Sequence, residues 1–156
     1  MNGDFFMIAI GCDHAGFQLK NEIIAHLKER NIDVADCGCD GSPCDYPVVA
    51  ESVCSMVQDG SCEKGILICG TGIGMSIAAN KFRGIRAALC TEHFSAKYTR
   101  LHNNSNVLCM GARTLGAGIA VEITDIFLST EFEGGRHQRR IDLITDIENN
   151  QQKTEV

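Results

Sequence analysis

The sequence contains few aromatic residues, few prolines and no long apolar run. Its 156 residues include no Trp, two Tyr and two Pro. This composition disfavours a site that stacks a flavin between large aromatic rings. No segment approaches the roughly 18 consecutive apolar residues that a membrane-spanning helix needs. The composition therefore disfavours a flavin carrier, and we do not expect a membrane protein.

Positive charge is also scarce. Fourteen Lys and Arg stand against twenty Asp and Glu, which gives a net charge of -6. Broad electrostatic attraction to nucleic acid or to an anionic membrane is therefore not expected, and an anionic ligand must be bound by a local cluster of basic residues. The amino terminus lacks the cationic segment and the apolar stretch of a signal peptide, so we expect a cytoplasmic protein.

The nine cysteines do not predict a disulfide framework. Their number is odd, and a chain of this length is able to bury a core without covalent crosslinks. Cys37, Cys39 and Cys44 form the tightest group, but this spacing without a second pair or a nearby His is poor for zinc. We expect free thiols and no metal.

The order of apolar and amphipathic segments predicts one domain over residues 1–149, with a frayed tail at 150–156. Five short apolar runs are candidate strands, at 5–11, 33–37, 65–69, 86–90 and 106–110. Helices are expected over 17–30, 47–58, 74–81, 95–102, 117–128 and 138–149, with Lys20 of the first helix facing solvent. The expected fold is α/β, a three-layer α/β/α Rossmann-like sandwich with a five-stranded parallel sheet.

Ligands of such folds bind beyond the carboxyl ends of the strands, and there the third strand runs into a glycine-rich loop. Cys69 is followed by Gly70, Thr71, Gly72, Ile73 and Gly74, whose backbone amides are able to receive an anion. A helix beginning there is expected to lower the pKa of Cys69 and make it a base or a nucleophile. The alternatives are a tight turn beside a buried thiol, a dinucleotide fingerprint with wrong glycine spacing, and a cysteine phosphatase without its loop arginine.

Other residues with useful chemistry lie in further loops and at helix ends. Asp13 and His14 follow the first strand, although Asp13 also suits a helix cap. Tyr46 is either a ligand contact or a packing residue, and His102 with Asn103 is either functional or an ordinary helix end. Arg113 follows the fifth strand. Arg136 and Arg140 are four residues apart, as expected for phosphate recognition or for a solvated basic patch.

With these residues in place, the chain resembles the ribose-5-phosphate isomerase type B family, which includes galactose-6-phosphate isomerase subunits. The resemblance covers nearly all of residues 7–149. Six segments carry it, namely 11–16 (GCDHAG), 68–74 (ICGTGIG), 78–81 (AANK), 102–103 (HN), 111–113 (GAR) and 133–140 (EGGRHQRR).

The resemblance implies an aldose–ketose isomerase of the pentose phosphate pathway that interconverts ribose 5-phosphate and ribulose 5-phosphate through an enediolate, without metal or cofactor. It implies that Cys69 is the base and that His102 helps to open the furanose ring, and we add the hypothesis that Thr71 assists Cys69. Some relatives carry a Glu base where this chain has Met75. The resemblance also implies a homodimer or tetramer whose sites are shared between subunits. The sugar-phosphate contacts it implies are Asp13, His14, Gly70, Thr71, Gly72, Ile73, Gly74, Asn103, Arg113, Arg136 and Arg140, and we add Tyr46.

Two alternatives remain open on the sequence. A hexose 6-phosphate isomerase acting on an allose or galactose derivative differs by one carbon of substrate length. Galactose-specific relatives use two different subunits, whereas the candidate base, histidine and arginines here lie in one chain, which favours the pentose. The alternative of another class is a flavodoxin-like binding or carrier module.

Overall fold

The strands form one parallel sheet. The computed structural model describes residues 6–151. The five strands in this range are β1 (Met7–Cys12), β2 (Asp33–Asp36), β3 (Lys64–Cys69), β4 (Ala87–Leu89) and β5 (Val107–Gly111). They lie in the spatial order β2-β1-β3-β5-β4, and every neighbouring pair is parallel. The predicted start of the first strand at residue 5 lies outside the described residues.

Helices cover both faces of this sheet. The helices are α1 (Phe17–Glu29), α2 (Tyr46–Gln58), α3 (Ile73–Ala79), α4 (His93–Asn103), α5 (Ala117–Ser129) and α6 (Arg136–Gln151). Apolar residues of α1, α4 and α5 pack on one face around Ile10 and Ile68, and those of α2 and α3 pack on the other around Leu67. All six residues of β3 are buried, as a strand covered on both faces requires. The predicted three-layer α/β/α fold is thus confirmed.

Two helices begin two residues earlier than the sequence pattern predicted. Helix α4 starts at His93 rather than at residue 95, because the Glu92 carboxylate accepts hydrogen bonds from the Phe94 and Ser95 amides. Helix α6 starts at Arg136 rather than at residue 138 and continues to Gln151. The remainder of the predicted frayed tail, 152–156, lies outside the described residues.

The prediction that Lys20 faces solvent is wrong. Its side chain is buried, and Nζ donates to Asp36 Oδ1 at 2.7 Å and to the Cys39 carbonyl at 2.9 Å. The partners come from the end of β2 and the segment after it, so the helical spacing of α1 alone could not reveal them. This lysine therefore fastens the β2–α2 connection to the body of the domain.

The sheet order places a ligand crevice between β1 and β3. Strand β2 lies on one side of β1, and the next strand in the chain, β3, lies on the other side, so the strand order reverses at this point. Ligands of open α/β sheets bind beyond the carboxyl ends of the strands at such a reversal. The register brings Cys12 beside Ile68, and Cys69 beside Gly111, at that edge. In the described part of the chain, no helix has both the length and the apolar character needed to cross a membrane.

Candidate active site

The glycine-rich loop turns sharply at the carboxyl end of β3. Gly72 has a φ of 77°, and a Cβ atom there would lie 2.5 Å from Leu89 Cδ1 and 2.8 Å from the Met110 carbonyl carbon. Only glycine fits both this backbone conformation and this space. The turn returns the Gly72 amide to the preceding strand end, where it donates to Cys69 Sγ at 3.1 Å. The loop thus brings a backbone donor directly to the sulfur.

Cys69 has little solvent exposure in the single chain. The residue is 5% exposed, while Thr71 and Ile73 of the loop above it are exposed. Thr71 Oγ1 accepts a hydrogen bond from the Ile73 amide at 3.2 Å and so stabilises the first turn of α3. The thiol therefore lies at the edge of the sheet beneath a loop whose outer side chains face outward.

Two other candidate residues lie directly over the loop. The Tyr46 ring passes so close to Gly74 that a Cβ atom there would lie 2.9 Å from Cζ. The Arg113 guanidinium lies over Gly70, with Nη1 3.4 Å from the position of a Cβ atom. Because Gly70 and Gly74 have no side chains, the Tyr46 ring of α2 and the Arg113 guanidinium after β5 are able to approach the backbone of the loop.

Asp13 and His14 lie at the same edge, after β1. The Asp13 amide donates to the Ile68 carbonyl at 3.1 Å, and its Oδ1 accepts from the Ala15 amide at 2.9 Å. Asp13 therefore does cap a helical turn, but the turn is the short 3-10 segment His14–Gly16 and not α1 itself. His14 is exposed. Both residues thus lie beside β3, the strand that ends in Cys69.

Other thiols near this edge are poor nucleophiles. Burial raises the pKa of Cys12, and burial together with the neighbouring Cys39 and Asp13 raises the pKa of Cys44 to about 12. A thiol with a raised pKa has little thiolate near neutral pH. All nine cysteines are free, as predicted.

The remaining candidates form a second group at the end of α4. Asn104 ends this helix with a φ of 45°, so the chain turns sharply after His102 and Asn103. Arg86 Nε donates to the Asn103 carbonyl at 2.9 Å, which fixes the turn. The side chain of Asn103 is exposed and that of His102 is partly exposed. The end of α4 therefore presents both polar side chains outward on a rigid support.

Helix α6 starts beside this turn. The Glu133 amide donates to the Leu101 carbonyl at 3.1 Å, and the ring of His137 stacks on that of His102 with centroids 4.0 Å apart and planes at 11°. Burial, the nearby His102 and the charge of Arg136 lower the pKa of His137. Arg136 and Arg140 are exposed on the first turns of the same helix.

Sequence reasoning missed Glu133 and His137 as parts of this group. Both lay within the quoted 133–140 segment, and their separation of four residues is a usable signal for two side chains that meet. The contact with His102 spans 35 residues, so no local pattern could reveal it.

The two groups lie at opposite ends of the sheet. Cys69 pairs with Gly111 at the carboxyl end of β5, whereas His102 and Asn103 precede the amino end of the same strand, which begins at Val107. Five residues of parallel strand separate the two ends by about 15 Å. A single chain therefore does not bring the candidate base together with the candidate histidine and the α6 arginines.

Comparison with known proteins decides the family. The family model described as Ribose/Galactose Isomerase matches residues 8–144. The chain belongs to this family. Ribose-5-phosphate isomerase B of Escherichia coli strain K12 is 54% identical over 142 residues, covering 90% of this chain and 95% of that protein. D-erythrulose-4-phosphate isomerase of Pectobacterium atrosepticum is 44% identical over 139 residues, covering 88% and 91%.

A solved structure of a relative has the same fold as this chain. Ribose-5-phosphate isomerase B of Clostridium thermocellum is 46% identical, with a TM-score of 0.92, and the match covers 93% of this chain and 99% of that one. The predicted family, fold and enzyme class, an aldose–ketose isomerase, are confirmed. Family membership also rules out the flavodoxin-like carrier.

Proposed function

We propose that this enzyme interconverts D-ribose 5-phosphate and D-ribulose 5-phosphate through an enediolate, in the pentose phosphate pathway. The observation that carries the proposal is the Cys69 sulfur at the carboxyl end of β3, receiving the Gly72 amide at 3.1 Å. This thiol lies at the sheet edge where substrates of such folds bind. The similarity to relatives that are named ribose-5-phosphate isomerase B supports the pentose substrate.

In the proposed isomerisation, the Cys69 thiolate removes the proton from C2 of the open-chain aldose. The electron pair forms the C1–C2 double bond of the enediolate, and the thiol then returns the proton to C1 as the hydroxyl proton moves from O2 to O1. The reaction is redox-neutral overall and consumes no cofactor. Amides of residues 70–74 are able to stabilise the developing oxyanion, and one such donor contributes about 3 to 4 kcal/mol.

The second group of residues is proposed to bind and open the sugar. His102 donates a proton to the ring oxygen as the C1–O bond breaks, and the anomeric hydroxyl gives its proton to solvent water, which leaves the free aldehyde. Arg136 and Arg140 bind the phosphate, since a guanidinium is able to offer two parallel donors to its oxygens. Asp13, His14, Tyr46, Asn103 and Arg113 contact the remainder of the sugar phosphate.

This mechanism requires two chains, so we propose a homodimer whose sites are each built from both subunits. The reason is the position of the two groups at opposite ends of the sheet, with Cys69 at one end and His102 at the other. Apolar side chains are exposed beside both groups, including Ile73 and Ile77 near the glycine loop and Ile144 and Ile147 on α6. Such patches are typical of surfaces that a partner covers. A tetramer of two such dimers preserves the same sites.

We further infer a cytoplasmic location, supported by the nine free cysteines, which suit a reducing compartment.

The substrate is tested by measuring kcat/KM of the purified enzyme with ribose 5-phosphate, allose 6-phosphate, galactose 6-phosphate and D-erythrulose 4-phosphate. The tetrose derivative is included because a relative with 44% identity is named for it. We expect the highest kcat/KM with ribose 5-phosphate. A higher value with either hexose phosphate, or with the tetrose phosphate, would replace the pentose assignment by that substrate.

A further inference from the structure

The described residues contain a cluster of two imidazoles and a carboxylate with the spacing of a metal site. Glu133 Oε2 lies 3.7 Å from His102 Nε2 and 3.9 Å from His137 Nε2, and one ligand atom from each of the three residues falls within 4.8 Å of the others. Ligand atoms about 2.0 to 2.2 Å from a tetrahedral zinc ion are roughly 3.5 Å apart. The two separations to Glu133 Oε2 therefore lie within about 0.5 Å of those in a zinc site.

An unpartnered nitrogen points into the same cluster. His137 is 3% exposed, and its Nε2 has no hydrogen-bond partner within residues 6–151. Buried polar atoms are nearly always hydrogen-bonded, and one that is not calls for an explanation such as an ion. The Glu133 oxygen at 3.9 Å is too distant for a hydrogen bond but close enough to share a cation.

The surroundings permit an ion to enter. Glu133 is exposed and His102 is partly exposed, so the cluster opens to solvent on the side away from His137. Imidazole nitrogens with a carboxylate oxygen suit zinc and similar divalent transition metals. The two rings are now nearly parallel at 11°, and coordination requires them to tilt so that both Nε2 lone pairs point to one ion.

We propose that His102, Glu133 and His137 form a binding site for one divalent transition-metal ion of the zinc class, with the remaining position open to water. An occupied site engages His102 Nε2, so that this nitrogen no longer donates a proton to the sugar ring. This consequence for turnover rests on the proposed function, whereas binding of the ion does not. Metal is thus an inhibitor of the proposed isomerase and not its cofactor.

The experiment titrates purified, reduced enzyme with Co²⁺, used as a spectroscopic substitute for Zn²⁺, and follows visible absorption and bound metal by equilibrium dialysis. The variants are Glu133→Gln, which changes an exposed side chain, and His137→Gln. His93→Gln is the matched control, because His93 is an exposed histidine paired with Glu122 outside the cluster. Isomerase activity is measured in parallel against the metal-free rate of each protein.

We expect one Co²⁺ per chain in the wild type and in His93→Gln, and an increase in Kd of at least about tenfold in both cluster variants. Equal affinity in all four proteins would overturn the site, because cysteine thiolates would then hold the metal. Absence of binding in the wild type would overturn it as well. Binding with the expected variant pattern in a protein without isomerase activity would support the metal site and refute the proposed function instead.

Discussion

At the scale of single residues, the proposed chemistry depends on the position of one sulfur atom. Cys69 ends a fully buried strand, and its Sγ accepts a backbone hydrogen bond from Gly72. Cys12 Sγ and Cys44 Sγ, at the same edge, lie instead against the carbonyl oxygens of Cys39 and Cys12. The backbone N–H that donates to Sγ therefore distinguishes Cys69 from these two thiols.

Replacement of Cys69 by Ala tests its role as the base. We expect kcat to fall by about 10² to 10⁴-fold, the usual contribution of a positioned base, while binding of the sugar phosphate is retained. Cys37→Ala is the control, since Cys37 is a half-buried thiol directly after β2. Steady-state kinetics and calorimetric binding give the two quantities. Near-normal turnover of Cys69→Ala would exclude the assignment.

Replacement of Arg136 by Ala tests phosphate binding. Loss of a charged hydrogen bond of about 1.5 to 3 kcal/mol raises KM for ribose 5-phosphate by roughly 10- to 100-fold, with a smaller change in kcat. Arg139→Ala is the matched control, because it removes the same charge from an exposed position of the same helix. Equal effects of the two substitutions would indicate a general basic patch rather than a specific contact.

At the scale of elements, the turn from β3 into α3 determines where the amides and the thiol meet. Its conformation requires glycine at Gly72 for two separate reasons, a positive φ and contact with Leu89 and Met110. Tyr46 of α2 and Arg113 after β5 also lie against the outside of the loop. The geometry at Cys69 is thus a product of three neighbouring segments.

The substitution Gly72→Ala separates these two reasons. Gly60 has a similar φ of 80° but no atom within 4 Å of its Cβ position, so Gly60→Ala measures backbone strain alone, about 1 to 2 kcal/mol. We expect Gly72→Ala to lower the free energy of unfolding by about 1 to 3 kcal/mol more, because the methyl group overpacks the contact. Urea denaturation measures both. Equal losses would mean that the loop moves to accommodate the methyl group.

At the scale of the whole molecule, the sheet separates the two halves of the proposed site by the length of a strand. The proposed dimer joins Cys69 of one protomer to His102 of its partner. A symmetric dimer then contains two such sites. Two inactive variants, one without Cys69 and the other without His102, should therefore restore one intact site when they form a heterodimer.

Heterodimers of a Cys69→Ala chain and a His102→Asn chain test this arrangement. Each homodimer has no intact site, but the heterodimer has one, so we expect about half of the wild-type activity per dimer after co-expression and purification through two different tags. The control pairs Cys69→Ala with the double variant Cys69→Ala/His102→Asn, which leaves no intact site. Activity at the level of that control would show that the two residues do not share a site across subunits.

The layers of the fold and the glycine loop could be predicted from the amino-acid sequence, because strand burial and glycine backbone freedom are local properties of runs such as 65–69 and 70–74. The motifs also identified the family. Long-range packing instead buries Lys20, stacks His137 on His102 with Glu133 beside them, and leaves Cys69 and His102 at opposite ends of the sheet. These features depend on contacts between residues far apart in the chain, which no periodicity of one segment encodes.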